Sequence, residues 1–267
     1  MKAIHYTDNY LINPTHPVTV NLIGCGGTGS QVLTNLARMN QALIKLGHMG
    51  LLVRVFDNDT VTEANIGRQM FSPSDIGQNK ATVLVSRVNR FFGLDWESYP
   101  LRYGVENFDK TAKLLGANIL ITCVDTAKSR IEIGKLQKEH WTFYKKSNVN
   151  PYAVPLYWLD FGNSKHTGQV VLGTLKEIKQ PKSKEITASH LQTVTEMFPN
   201  LSESDILDNT PSCSLAEALG KQDLFINSTL TQFGMNILWK LFREARLKVQ
   251  GVYVNVSTLC TNPIFIN

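Results

Sequence analysis

The chain has 267 residues, 43% hydrophobic and 18% charged, enough for one large α/β domain with a sizeable core. No apolar run is long enough to span a bilayer and the N-terminal stretch lacks a secretory apolar region, so a cytoplasmic protein without a membrane partner is expected. The net charge of +5 is scattered rather than gathered in a stripe, which argues against a nucleic-acid partner.

In chain order, Val18 to Ile23 reads as a buried strand, followed by a turn carrying Gly24, Gly26, Gly27 and Gly29 and a helix from Ser30 to about Leu46. "LLVRVFD", ending at Asp57, is a second strand, and Lys80 to Phe92 is an amphipathic helix. "ESYPLRYGV" reads as a strand interrupted by Pro100. "NILITCVD", ending at Asp125, is so apolar that both its faces must be covered, as in a parallel sheet. A helix from Ala127 to Lys138 follows. The alternation implies a doubly wound, Rossmann-like sheet, with ligands in the crevice beyond the carboxyl ends of its strands.

The second half differs. "AVPLYWLDFG" and "GQVVLGTL" read as an antiparallel addition around the turn-rich "NSKHT". A polar segment of about residues 176–211 reads as a mobile insertion with a short helix near His190 to Phe198. Its basic cluster, "KEIKQPKSKE", has the Pro and Ser of a loop. A long helical region from Ser214 to about Leu247 and a strand "GVYVNVSTL" close the chain, giving one domain over residues 1–267.

The chemistry gathers on the first half. Gly24-Cys25-Gly26-Gly27-Thr28-Gly29 satisfies G-x-G-x-x-G between a strand and a helix, which suits a phosphate without separating NAD, FAD, ATP or S-adenosylmethionine. Asp57 at a strand end suits ribose hydroxyls, although it stands further from the glycines than the usual spacing of about 20 residues. Asn65, Arg68, Gln69 and Lys80 follow the second strand. Two cations and an amide exceed what a pyrophosphate bridge requires and suit a triphosphate or a leaving pyrophosphate. Asp125 presents a hard carboxylate for Mg²⁺, unless it or Thr126 only caps the next helix.

Four cysteines, Cys25, Cys123, Cys213 and Cys260, form no C-x-x-C pair, so neither a zinc ribbon, a redox motif nor a disulfide framework is expected. Cys213 precedes the S-x-x-E capping box Ser214 to Glu217, where a helix N-terminus lowers a thiol's pKa. It is read either as a reactive thiol or as a small residue packed at the helix start. Cys25 and Cys123 are read as structural. His16, His140, His166 and His190 have no metal or triad spacing.

G-x-G-G-x-G-S at Gly24 to Ser30, D-x-D-x-V at Asp57 to Val61, N-x-x-R-Q at Asn65 to Gln69, Lys80 and Asp125 come in one family's order. The chain resembles the ThiF/MoeB/ubiquitin-activating-enzyme family, ATP-dependent adenylyltransferases acting on the C-terminal glycine of ubiquitin-like proteins. The stretch "PSCSLAEALGKQDLFINSTLTQFGMNILW" most resembles the PRTRC-system ThiF proteins of bacterial mobile elements.

The resemblance implies that Gly24, Gly26, Gly27 and Gly29 approach the ATP phosphates and that Asp57 holds the ribose. It further implies that Asn65, Arg68 and Lys80 neutralise the phosphates, that Gln69 supports them and that Asp125 carries Mg²⁺. The partner would be a ubiquitin-like protein or peptide ending in glycine, with acyl-adenylate formation followed, or not, by transfer to Cys213. A homodimer is also implied. Two features depart from the family: the paired C-x-x-C zinc motifs are missing, so no zinc is expected, and the first 37 residues contain no arginine to complete a neighbouring subunit's site. The competing readings are a non-catalytic nucleotide-binding scaffold and an NAD- or FAD-dependent oxidoreductase.

Overall fold

The computed structural model of the chain describes residues 2–104, 114–146, 154–201, 220 and 222–267, with side chains left undescribed over 140–146. A short strand β1 (His5–Tyr6) and helix α1 (Asn9–Ile12) lead into β2 (Val18–Ile23), which matches the expected strand. Helix α2 (Gly27–Lys45) starts three residues before the expected Ser30, because Gly27 and Gly29 themselves take up helical backbone. Then come β3 (Leu51–Phe56), α3 (Lys80–Phe92), β4 (Glu97–Tyr99) and β5 (Ile119–Thr122). Helix α3 is capped at its start by Asn79, whose side chain accepts from Thr82 N, and at its end by Gly93 in the left-handed region, φ 66°. β4 ends before Pro100, which has no N–H to give a ladder.

β5 ends at Thr122, so Asp125 lies three residues past the strand rather than closing it. The chain leaves the ladder once Cys123 N has bonded to Ile23 O. Helix α4 (Ala127–Lys146) runs well beyond Lys138, and β6 (Tyr157–Asn163) and β7 (Thr167–Thr174) form the expected antiparallel pair. A short helix α5 (Val194–Met197) is set by a Thr193–Glu196 capping box. Helix α6 (Ile226–Arg243) ends before the expected Leu247, because Ala245 at φ 54° turns the chain into β8 (Arg246–Leu247), while residues 214–219 and 221 of the expected helical region lie outside the described residues. β9 (Val249–Asn255) and an additional strand, β10 (Cys260–Phe265), follow.

Eight strands make one sheet in the order β10-β9-β7-β6-β5-β2-β3-β4, with β6, β5, β2, β3 and β4 parallel and β7, β9 and β10 antiparallel. β1 and β8 form a separate two-stranded ribbon. The outermost strand β10 carries Pro263 with Thr261 and Asn262, all three exposed.

Alternate residues divide the core between the two faces of the sheet. Val20, Leu22, Val53, Val55, Ile119 and Ile121 pack with Val32, Leu33 and Leu36 of α2, Val83 and Leu84 of α3 and Leu230 and Leu238 of α6. On the other face, Ile23, Phe56, Leu120 and Trp158 pack with Ile133 and Leu136 of α4. Each fully buried Leu, Ile or Val on this interface contributes about 1.5–3 kcal/mol.

The N-terminal arm is pinned by buried His5, whose Nδ1 lies 2.7 Å from Ala188 O and whose Nε2 lies 2.9 Å from the Tyr157 hydroxyl. Of the segment 176–211, residues 176–201 are described. There Ile4 N bonds to Ile186 O and Ala188 N to Ile4 O, while Ile178 and Leu191 are buried. Among the described residues no helix is long and apolar enough to cross a membrane.

Candidate nucleotide site

β2 lies between β5 and β3, so the chain reverses its direction of travel across the sheet at β2, and the crevice opens at the carboxyl ends of these strands. The glycine turn stands there. Gly24 has φ +89°, and a Cβ on it would lie 2.6 Å from Cys123 O. A Cβ on Gly29 would run into Gly24 O, so the first turn of α2 packs backbone to backbone on the end of β2. The first amides of α2 have no intrahelical carbonyl to bond, which is the physical basis of an anion cradle.

Asp57 follows β3 directly and faces this turn. Its Oδ2 accepts from Cys25 N at 2.5 Å and its Oδ1 from Asp59 N at 2.8 Å. Burial raises the Asp57 carboxyl above its ordinary value, opposed by those two amides and by Lys80. Lys80, 8% exposed at the start of α3, donates to Asp59 Oδ2 at 3.0 Å. Its charge reaches both Asp57 and Cys25.

Asn65 caps its own 3-10 turn, with Oδ1 accepting from Thr62 N at 2.9 Å and Thr62 Oγ1 at 3.2 Å. Its amide group remains as a donor. Gln69 reaches the turn, with Nε2 at 4.0 Å from where a Gly26 Cβ would sit, and its buried Oε1 has no partner among the described residues. Arg68 Nη1 donates to Gln222 Oε1 at 2.7 Å, while its buried Nε also lacks a partner among the described residues. Burial pulls the Arg68 guanidinium below its ordinary value, and the Asp125 carboxylate acts against that shift. Asp125 is exposed, and Ser129 N is capped by Thr126 Oγ1 at 3.1 Å, so the helix-capping role falls to Thr126.

The structure thus brings Gly24, Gly26, Gly27, Gly29, Asp57, Arg68, Gln69, Lys80 and Asp125 to one end of the sheet, with Asn65 in the adjoining turn. Cys213 and its capping box lie outside the described residues. Burial pushes the Cys25 and Cys123 thiols well up, which leaves both as inert thiols at neutral pH. Cys260 is free and exposed on β10.

A nucleotide fits these residues. The orphaned Arg68 Nε is a donor awaiting an anionic oxygen, Gln69 Oε1 is an acceptor awaiting a hydroxyl or amine, and the glycines leave room for backbone approach. Among the described residues no cluster of three His, Cys, Asp or Glu side chains could hold a metal alone. A divalent ion beside Asp125 would therefore draw its other oxygens from phosphate and water, the habit of Mg²⁺.

Sequence reasoning missed three supports of this site. Asn227, in the first turn of α6, accepts from Thr28 Oγ1 at 2.8 Å and Asn163 Nδ2 at 2.9 Å and donates to Gln222 Oε1 at 3.0 Å. The pair Arg130–Asp160 is fully interior at 3.1 Å, and Arg130 Nη2 also bonds to Val124 O and Phe161 O, each at 2.7 Å. That guanidinium fixes the backbone immediately before Asp125. An arginine on an amphipathic helix carries no mark of such burial, and a lone Asn at a helix start none of this reach.

A model of the ThiF family matches residues 15–201. Among curated proteins, the chain is 27% identical over 148 residues to ubiquitin-like modifier-activating enzyme 5 of Drosophila willistoni, covering 51% of this chain and 34% of that protein. It is 26% identical over 166 residues to the protein of the same name from Oryza sativa subsp. japonica, covering 58% and 37%. The chain thus spans little more than a third of the length of these relatives. Among solved structures, E. coli MccB with MccA superposes with a TM-score of 0.60 at 13% identity, over 96% of this chain and 65% of that one. PaaA gives 0.59 at 12% identity, over 93% and 64%. At those identities the likeness is one of fold.

Proposed function

The chain belongs to the ThiF family, and from that premise we propose that it is an ATP-dependent adenylyltransferase. Its substrate is the C-terminal glycine carboxylate of a ubiquitin-like protein or a similar peptide. The observation that carries this reading is Arg68, whose buried Nε, unpartnered among the described residues, shares one crevice with Asp125 and the glycine turn.

In this reading the first amides of α2 receive the phosphates and Asp57 accepts from the ribose hydroxyls. Arg68, Lys80 and the amide nitrogen of Asn65 balance the phosphate charge, and Gln69 Oε1 takes a nucleotide donor. A carboxylate is a poor acyl donor because its leaving group would be oxide. Attack of its oxygen on the α-phosphorus breaks the bond to the β-phosphate oxygen, and pyrophosphate leaves with its growing charge held by Arg68 and Lys80. Asp125 would hold Mg²⁺, which would supply further charge neutralisation at the phosphates. The protein's share is alignment and fixed charge, with no protein nucleophile in this step.

Transfer of the acyl group to Cys213, with AMP leaving, is a second step that the same proposal accommodates. The PRTRC subtype, a single unit over residues 1–267, a homodimer and a cytoplasmic setting belong to the proposal as well. A non-catalytic scaffold is the second reading. It is favoured by the sequence of residues 1–37, which holds no arginine and in which Lys2 lies 3.3 Å over the Phe265 ring.

The test is ATP–pyrophosphate exchange with each small Gly-ending protein encoded beside this one. Exchange that requires both partner and Mg²⁺, and collapses in Asp125→Ala, supports the enzyme. ATP binding without AMP formation selects the scaffold, and unchanged exchange in Asp125→Ala removes the Mg²⁺ assignment. A thiol-labile adduct that disappears in Cys213→Ala identifies the second step.

A further inference from the structure

Gly27 and Thr28 open α2, and both are held from outside the helix by one side chain. Asn227 is 2% exposed. Its Nδ2 stands 2.5 Å from where a Gly27 Cβ would be, and its Oδ1 accepts from Thr28 Oγ1 at 2.8 Å. A second donor, Asn163 Nδ2, reaches the same oxygen at 2.9 Å from the end of β6, so the carboxamide cannot rotate without breaking bonds. On its other side Asn227 Nδ2 donates to Gln222 Oε1, the atom that also receives Arg68 Nη1 at 2.7 Å. One row of polar contacts, Thr28–Asn227–Gln222–Arg68, therefore joins the anion-facing turn of α2 to the cation opposite it.

We infer that Asn227 is a positioning residue for the nucleotide's phosphates, setting the first turn of α2 and the Arg68 guanidinium in register with each other. This deepens the adenylylation reading and rests on it. Neither group is placed by its own element: the turn is made of residues with little or no side chain, and Arg68 comes from a loop between β3 and α3. A buried Asn that only satisfied itself would have no reason to link the two. The row acts on the phosphate end alone, because Asp57 at the ribose end is fixed separately by Cys25 N and Asp59 N.

The experiment compares calorimetric binding of Mg·ATP and of adenosine to the full-length chain, wild type and variant. Asn227→Leu keeps the bulk over Gly27 and loses every polar contact. Thr28→Val is isosteric and removes one donor, which keeps the test alive should Asn227→Leu fail to fold. The expected result is ATP binding about tenfold weaker in Asn227→Leu and about threefold weaker in Thr28→Val, with adenosine within about twofold of wild type in both. ATP affinity unchanged in the folded variants overturns the inference, as does an equal loss for ATP and adenosine, which a general structural role would give. Wild-type protein that binds neither ligand overturns the adenylylation reading and takes the inference with it. ATP binding with the stated selectivity but no pyrophosphate exchange upholds the positioning role and fails only the reading beneath it.

Discussion

Replacing Arg130 by Met tests the buried pair behind Asp125. The side chains of Arg130 and Asp160 are 7% and 1% exposed, so the variant leaves a carboxylate in the interior with the Thr122 hydroxyl, at 2.5 Å, as its one remaining side-chain hydrogen-bond donor among the described residues. Breaking such a pair by removing one partner costs about 3–5 kcal/mol. The two carbonyls that Arg130 Nη2 serves, Val124 O and Phe161 O, lose their donor as well, so the upper part of that range is expected. For a chain of this size that amounts to a fall of about 10 °C or more in Tm. Asp160→Asn keeps an acceptor for Thr122 and discharges the site. The double variant Arg130→Met/Asp160→Asn should therefore recover about 2 kcal/mol relative to the sum of the single losses, a coupling typical of directly bonded groups. Urea unfolding of the four proteins, with slopes compared so that only midpoints move, measures it. Strictly additive losses, or a loss under about 1 kcal/mol in Arg130→Met, would refute the argument that an uncompensated charge dominates.

Gly29→Ala places a methyl into Gly24 O, so nucleotide binding should be lost and Tm should drop, whereas Gly26→Ala, whose nearest neighbour is Gln69 Nε2 at 4.0 Å, should keep its Tm and lose only nucleotide affinity. Thermal scans with and without ATP separate the two. Arg68→Lys gives up the planar fork and its bond to Gln222, and exchange should fall about 10–100-fold with Tm nearly unchanged. Burial holds the His5 imidazole below its ordinary value, so the folded state resists its protonation. Stability is then full above pH of about 6.5 and declines as pH falls below that, since the unfolded chain binds the extra proton. Unfolding curves from pH 8 to 5 should show this decline, and His5→Asn should flatten it.

Much of the fold was legible because period and punctuation agreed. Val18–Ile23 and Lys80–Phe92 match their expected bounds, the first through unbroken apolarity before a glycine and the second between an Asn cap and Gly93. The errors have local causes. Glycines normally end helices, yet at Gly27 and Gly29 they begin one, because the fold needs a helix start without side chains. β10 was missed because Thr261, Asn262 and Pro263 carry no apolar alternation, and their ladder comes from β9 beside them. Of the candidate site, the residues adjacent to strand ends could be listed from sequence, since the sheet delivers them to one edge. Gln222, Asn227 and Asn163 could not: they converge from distant parts of the chain through single hydrogen bonds, and no periodicity encodes that.

Pro263 has one further effect. A sheet's last strand offers its outward amides to any extended chain that drifts by, including the same strand of another molecule. Proline contributes no such amide, and Thr261 and Asn262 before it are polar and exposed, so the outward row of donors is broken at this border. A second copy laid along this margin would meet a gap where its carbonyl needs a partner.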